Sequence, residues 1–180
     1  MPYTERVDLD AAGSIGITID ADGVLVDDVS AAPGWQIVAQ HPKAGLLRRR
    51  VKPSPSAVVV LTRSGPDGHE ERELEVGQLD DGSWELAVRR QAPCPSNGSI
   101  TTPGGTVTVP SATSSARASL AVVQVEPADG WGVRSREEGP DDIVVVFAWG
   151  EEEWEVVVLL DDDAPPVADV DHRRQLGHLT

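Results

Sequence analysis

A single cysteine, Cys94, occurs in 180 residues, and a lone thiol builds neither an internal disulfide nor a thiolate zinc site. Aromatic residues make up only 4% of the chain, yet five are tryptophan, beside one Tyr and one Phe. Each large ring is therefore a candidate core anchor. Positive charge is also short: 15 basic residues face 30 acidic ones, for a formal net charge of −15. That balance disfavours binding to a phosphate backbone, which needs clustered Lys and Arg, and it repels anionic membrane surfaces. It permits a basic protein partner. No apolar run approaches the roughly 18–20 residues of a membrane-spanning helix. The opening MPYTERVDLDAAG lacks a basic stretch followed by an apolar one, so no secretory signal is expected there. Without such a signal, the glycosylation sequon Asn97-Gly98-Ser99 reads as a chance match, and the expected compartment is the cytoplasm.

Site chemistry is equally thin. His41, His69, His172 and His178 are scattered, with no metal-ligand spacing. No nucleophile elbow or phosphate-cradling glycine loop occurs. Asp20, Asp22 and Gly23 match the start of a calcium loop, but the bidentate Glu such a loop requires downstream is missing; a hairpin turn is the simpler reading. Asp161, Asp162 and Asp163, with Asp80 and Asp81 as counterpart, are a candidate divalent-cation cluster set against ordinary Asp-rich turns. Asp171-His172 is a base-and-orienter pair only if the C-terminal segment packs on a domain. Cys94 sits between two prolines, where an incidental thiol is the default. No catalytic, cofactor-binding or metal-ligating residue is therefore assigned, no cofactor is expected, and the chain is read as a non-enzyme.

What is present is alternation. Ile15, Ile17 and Ile19 alternate with small or polar residues, the period of a half-buried strand. Asp20–Gly23 then turns the chain into Val24-Leu25-Val26 as a hairpin. Ala57–Arg63 is β-branched, Ser64–Gly68 is a turn, Glu71–Gln78 alternates, and Asp80-Asp81-Gly82 leads into Trp84, Leu86 and Val88 on one face. Leu46–Val51 is ambiguous between strand and loop, and Ser111–Ser119 reads as a loop. Short strands separated by frequent turns predict an all-β protein of the sandwich type, and no amphipathic helix is evident. The Pro-, Gly- and Ser-rich stretch 91–105 reads as a linker, and 164–180 reads as a flexible tail. The expected domains are thus 1–90 and 106–163.

The two halves echo one another. Ala32-Pro33-Gly34-Trp35, Val58–Leu61, Glu71–Val76 and Leu79–Gly82 recur in order as Pro127–Trp131, Val144–Phe147, Glu152–Val158 and Leu160–Asp163. An internal duplication into two tandem small antiparallel β-sandwich-like (Ig-like) domains is expected, with Trp35 and Trp131 in equivalent core positions. One pseudo-symmetric unit, with 91–105 as a crossover, is the alternative. The Asp-Gly hairpin, Pro-x-x-Gly-Trp, Val-rich strand and charged strand together resemble an uncharacterised β module found in hypothetical proteins of high-GC Gram-positive bacteria. The resemblance covers about Val7–Arg89 and Thr106–Asp163. It implies the fold and the duplication, and no site residues.

Two charge features complete the reading. Arg48-Arg49-Arg50 with Lys52 is a basic island, set against the simpler reading of a solvated loop. Glu137-Glu138, Asp141-Asp142 and Glu151-Glu152-Glu153 are acidic clusters, which read equally as solvated strand faces. The expected function is non-enzymatic binding of another macromolecule, or a structural or adaptor role; the expected partner is another protein, and the charge permits one with a basic surface. An acidic mimic of nucleic acid is the alternative, and a metal-dependent hydrolase using Asp and His at a domain interface is a distant third.

Overall fold

The computed structural model describes residues 2–20, 22–41, 56–65, 68–95, 98–109, 124–139, 142–159 and 166–179. Among these the chain is nearly all strand, with one 3-10 turn at Asp10–Ala12 and no α-helix. The strands are β1 (Tyr3–Asp8), β2 (Gly13–Asp20), β3 (Gly23–Ala31), β4 (Gln36–His41), β5 (Ser56–Gly65), β6 (Gly68–Gln78) and β7 (Trp84–Pro93). They continue as β8 (Ser99–Thr102), β9 (Gly105–Thr108), β10 (Gln124–Pro127), β11 (Gly132–Glu138), β12 (Asp142–Trp149), β13 (Glu152–Leu159) and β14 (Val167–Gly177). Their hydrogen-bonded orders are β1-β2-β3, β10-β9-β8 and β11-β12-β13-β14-β7-β6-β5-β4. The chain forms two compact units: unit 1 is Met1–Gly65, His69–Arg89 and Arg173–Thr180, and unit 2 is Pro66–Gly68 with Arg90–His172.

Unit 1 follows from the period-2 pattern. In β2 the side chains of Ile15, Ile17 and Ile19 are fully buried on one face, and the antiparallel register sets Val7 against Ile15 and Val24 against Ile19. Ala57, Val59 and Leu61 of β5, Leu74 and Val76 of β6, and Trp84 and Leu86 of β7 complete the same core. Sheets with one apolar face each have a simple way to exclude water, which is to bring those faces together as a sandwich. Leu176 and Leu179 pack against this core from the C-terminal segment.

Unit 2 repeats the plan with different volumes. Ile100 and Val107 of the short strands meet Ile143, Val145 and Phe147 of β12, Val156 and Val158 of β13, and Ala168 and Val170 of β14. Gly104 in the β8–β9 turn and Gly105 at the start of β9 leave no room for a side chain, because the aromatic core presses on both. A Cβ on Gly104 would lie 2.8 Å from Phe147 Cβ, and one on Gly105 would lie 2.7 Å from Phe147 Cε1.

The chain leaves each three-stranded meander through the same corner. Gly34 and Gly130 adopt φ of +86° and +85°. The N–H of Trp35 donates to the carbonyl of Ala32, and that of Trp131 to the carbonyl of Ala128, both at 3.0 Å. Ala32 N–H in turn donates to Ala12 O at 2.9 Å, and Ala128 N–H to Gly104 O at 3.0 Å. Two residues beyond each tryptophan the next strand carries a register shift, between Ile37 and Ala39 in β4 and between Val133 and Ser135 in β11. Leu61 and Phe147, the partners of Ile37 and Val133, are both fully buried.

Two boundary expectations are corrected. Segment 91–105 is not a linker: it holds the end of β7, all of β8 and the start of β9. Its Ser, Thr and Gly residues belong to a hairpin whose small side chains leave room for aromatic neighbours. Segment 164–180 is not a flexible tail, since β14 occupies Val167–Gly177 and buries Ala168, Asp169 and Val170. Its apolar core contacts, Ala168 and Val170 in unit 2 and Leu176 in unit 1, are too widely spaced to show as a period. Leu46–Val51, Ser111–Ser119 and Leu160–Asp163 lie outside the described residues.

The corner separates backbone strain from packing. A Cβ on Gly130 or on Gly132 meets nothing within 4 Å, but only Gly130 has a positive φ. Gly130→Ala is expected to destabilise unit 2 by about 1–2 kcal/mol, while Gly132→Ala stays within about 0.5 kcal/mol of the parent. Urea unfolding of both variants checks this, and equal losses would contradict the role given to the corner.

Candidate functional site

The residues singled out in the sequence scatter across both units. Asp20 accepts the N–H of Asp22 at 2.8 Å in the hairpin before Gly23, whose φ is +137°; this is turn chemistry. Asp81 accepts from Ser83 Oγ at 2.6 Å and from Ser83 N–H at 2.9 Å. Those bonds hold its carboxyl below the usual range. Asp161, Asp162 and Asp163 lie outside the described residues, as do Arg48, Arg49, Arg50, Lys52 and Asp141. No three His, Cys, Asp or Glu side chains gather to hold a metal ion among the described residues.

His41 is exposed on β4. His69 Nδ1 is 3.5 Å from Ser64 Oγ on an exposed hairpin, longer than a working nucleophile–base bond. His172 is stacked on Trp154, with ring centroids 4.2 Å apart and planes 8° from parallel. Its Nε2 is 3.9 Å from Glu152. Cys94 is half-buried, its N–H bonded to Pro166 O at 2.9 Å, and burial pushes its thiol up to about 11. The acidic clusters are interrupted by arginine: Arg134 pairs with Glu153, and Arg136 with Glu138.

What the fold does bring together is tryptophan and its cover. In unit 1, Trp35 is buried at 5% exposure with the guanidinium of Arg63 5.0 Å and that of Arg72 5.3 Å from its ring centre. Glu70 bridges both arginines, at 3.7 Å from Arg72 and in a close pair with Arg63. Trp35 Nε1 is buried without a hydrogen-bond partner among the described residues, so the ring is held by packing and by cations on its π-face.

In unit 2 the register places Trp149 where unit 1 has Arg63. Leu61 and Phe147 are each followed two residues later by the group that covers the corner tryptophan. Trp131 is half-buried against the core, and Trp149 lies 5.9 Å from it, tilted by 56°. Similarly, Arg72 stands two residues before buried Leu74, and Trp154 two before buried Val156. Trp154 is already occupied, by His172 and by Arg90 at 5.8 Å. Trp149 is 61% exposed, and on neighbouring β11 Val133, the partner of Phe147, is 42% exposed.

Exposed apolar side chains also line β4, where Ile37 and Val38 face solvent. β4 and β11 are end strands in their hydrogen-bonded order, and such strands offer unpaired backbone groups beside their side chains. Trp149 was not legible as a surface residue. It continues the Val145, Phe147 alternation, so the pattern alone places it in the core; it is instead the last residue of β12, next to a turn at Gly150 with φ of +61°, and is exposed. No family of proteins, no curated protein and no solved structure matches the chain.

The thiol gives a pH test of this packing. At about pH 7.5 Cys94 should react with iodoacetamide on the order of 100-fold more slowly than in the urea-unfolded chain, because its thiolate is scarce. Its rate should still be climbing above about pH 9. Equal rates in folded and unfolded chain would contradict the burial.

Proposed function

We propose that this chain is a non-enzymatic binding protein, made by internal duplication of one β-sandwich module, that contacts another protein through the exposed end strands of its units. The observation that carries this reading is Trp149, the last residue of β12 and 61% exposed, two residues along from the Phe147 that pairs with exposed Val133 of end strand β11. The apolar surface that an exposed tryptophan leaves in water is surface that a docking partner can bury favourably. The duplication rests on the shared corner: matching glycine φ, matching bonds to Ala32 and Ala128, and a register shift at the same distance beyond each tryptophan. The resemblance to a Gly-Trp β module rests on that corner too. A cytoplasmic setting belongs to the same reading, supported by the lone cysteine; no helix among the described residues is long and apolar enough to cross a membrane.

A mimic of nucleic acid is the weaker alternative. It needs rows of free carboxylates, and on β11 and β13 Glu138 and Glu153 are closed by Arg136 and Arg134.

Placing a photocrosslinking benzoylphenylalanine at Val133, and in a second variant at exposed Glu75, tests the reading in cells of the native host. Discrete protein adducts from position 133 that are absent from position 75 are expected. Adducts no more frequent at 133 than at 75 would overturn it.

A further inference from the structure

We propose that the Trp131–Trp149 pair of unit 2 is a docking site for an arginine-bearing segment of a basic protein. The proposal rests on the binding reading above and adds the chemistry of the partner. Its first support is internal. Unit 1 shows what the corner tryptophan accepts: a guanidinium on its face, Arg63 at 5.0 Å from Trp35. At the matching position unit 2 supplies a second aromatic ring, Trp149, which is left 61% exposed. Among the described residues, the arginines on the neighbouring strands are engaged elsewhere. Arg134 is paired with Glu153, Arg136 with Glu138, and Arg90 lies over Trp154. Trp149 is thus left accessible to solvent, whereas the corner ring of unit 1 is buried beneath its arginines.

The second support is charge. Trp149 lies opposite Glu152 in the β12–β13 register, and exposed Glu151 follows in the same turn. Asp129 sits in the corner turn immediately before Gly130 and Trp131, and it too is exposed. With a net charge of −15, the protein draws cations toward this rim. Arginine fits better than lysine, because a planar guanidinium stacks on indole while its N–H groups reach carboxylates at the edge. A neutral sugar would use the ring but not the charge.

The test follows the indole N–H resonances of the full chain by NMR during titration with a capped peptide of alternating arginine and glycine. Saturable shifts of the Trp149 and Trp131 signals are expected, with Trp35 and Trp84 unmoved. The isosteric citrulline peptide should bind at least about 10-fold more weakly. Trp149→Arg, which installs the internal pair of unit 1, and Trp149→Ala should each weaken arginine-peptide binding by about 10-fold or more. Trp149→Phe, which preserves an aromatic face, should change it by less than about threefold. Equal binding of the citrulline peptide, an unchanged affinity in Trp149→Ala, or indole shifts produced only by a neutral oligosaccharide would each overturn the proposal. Adducts at position 133 that the arginine peptide fails to compete away would overturn the arginine chemistry while sparing the binding reading. Absence of those adducts removes the reading itself.

Discussion

Each unit depends on one corner, where a glycine in the left-handed region lets the chain leave a three-stranded meander and deliver a tryptophan to the next strand. The N–H of that tryptophan closes the turn on an alanine carbonyl, and the alanine N–H is tied back to the residue that precedes the central strand of the meander. A residue with a Cβ resists that backbone conformation. Because the turn is fixed, the tryptophan enters with a defined direction, the register shift follows two residues later, and the buried alternation of the next strand falls into phase. Leu61 in one unit and Phe147 in the other are fully buried as a consequence.

The same frame then supports two different surfaces. Unit 1 caps its tryptophan with arginines held by Glu70, so the ring is closed off by charge from within the unit. Unit 2 caps its tryptophan with another tryptophan, and larger aromatic volume is accommodated by the glycines at 104 and 105. At the position where unit 1 carries Arg63, unit 2 carries an exposed tryptophan. Sites of this kind live on a fold without being dictated by it.

Much of the sandwich was legible from residue order. The isoleucines of β2, the Asp-Gly turns and the paired Gly-Trp segments mark themselves because period, turn chemistry and composition agree there. The β8–β9 hairpin and β14 did not, for a common physical reason. Their packing partners are large, so they need only Ile100 and Val107, or Ala168 and Val170, to belong to the core. Glycine, serine, threonine and charge fill the rest, which is also the composition of a loop. The exposed Trp149 was hidden for the opposite reason: it obeys the alternation of a buried strand beyond the point where the sandwich ends.

The two units thus differ in one buried tryptophan and one exposed one. Hydrogen exchange of the indole N–H groups, read residue by residue by NMR, measures this difference directly. Trp35 should exchange orders of magnitude more slowly than Trp149, whose rate should approach that of free indole, with Trp131 between them. Equal protection of Trp35 and Trp149 would contradict the account.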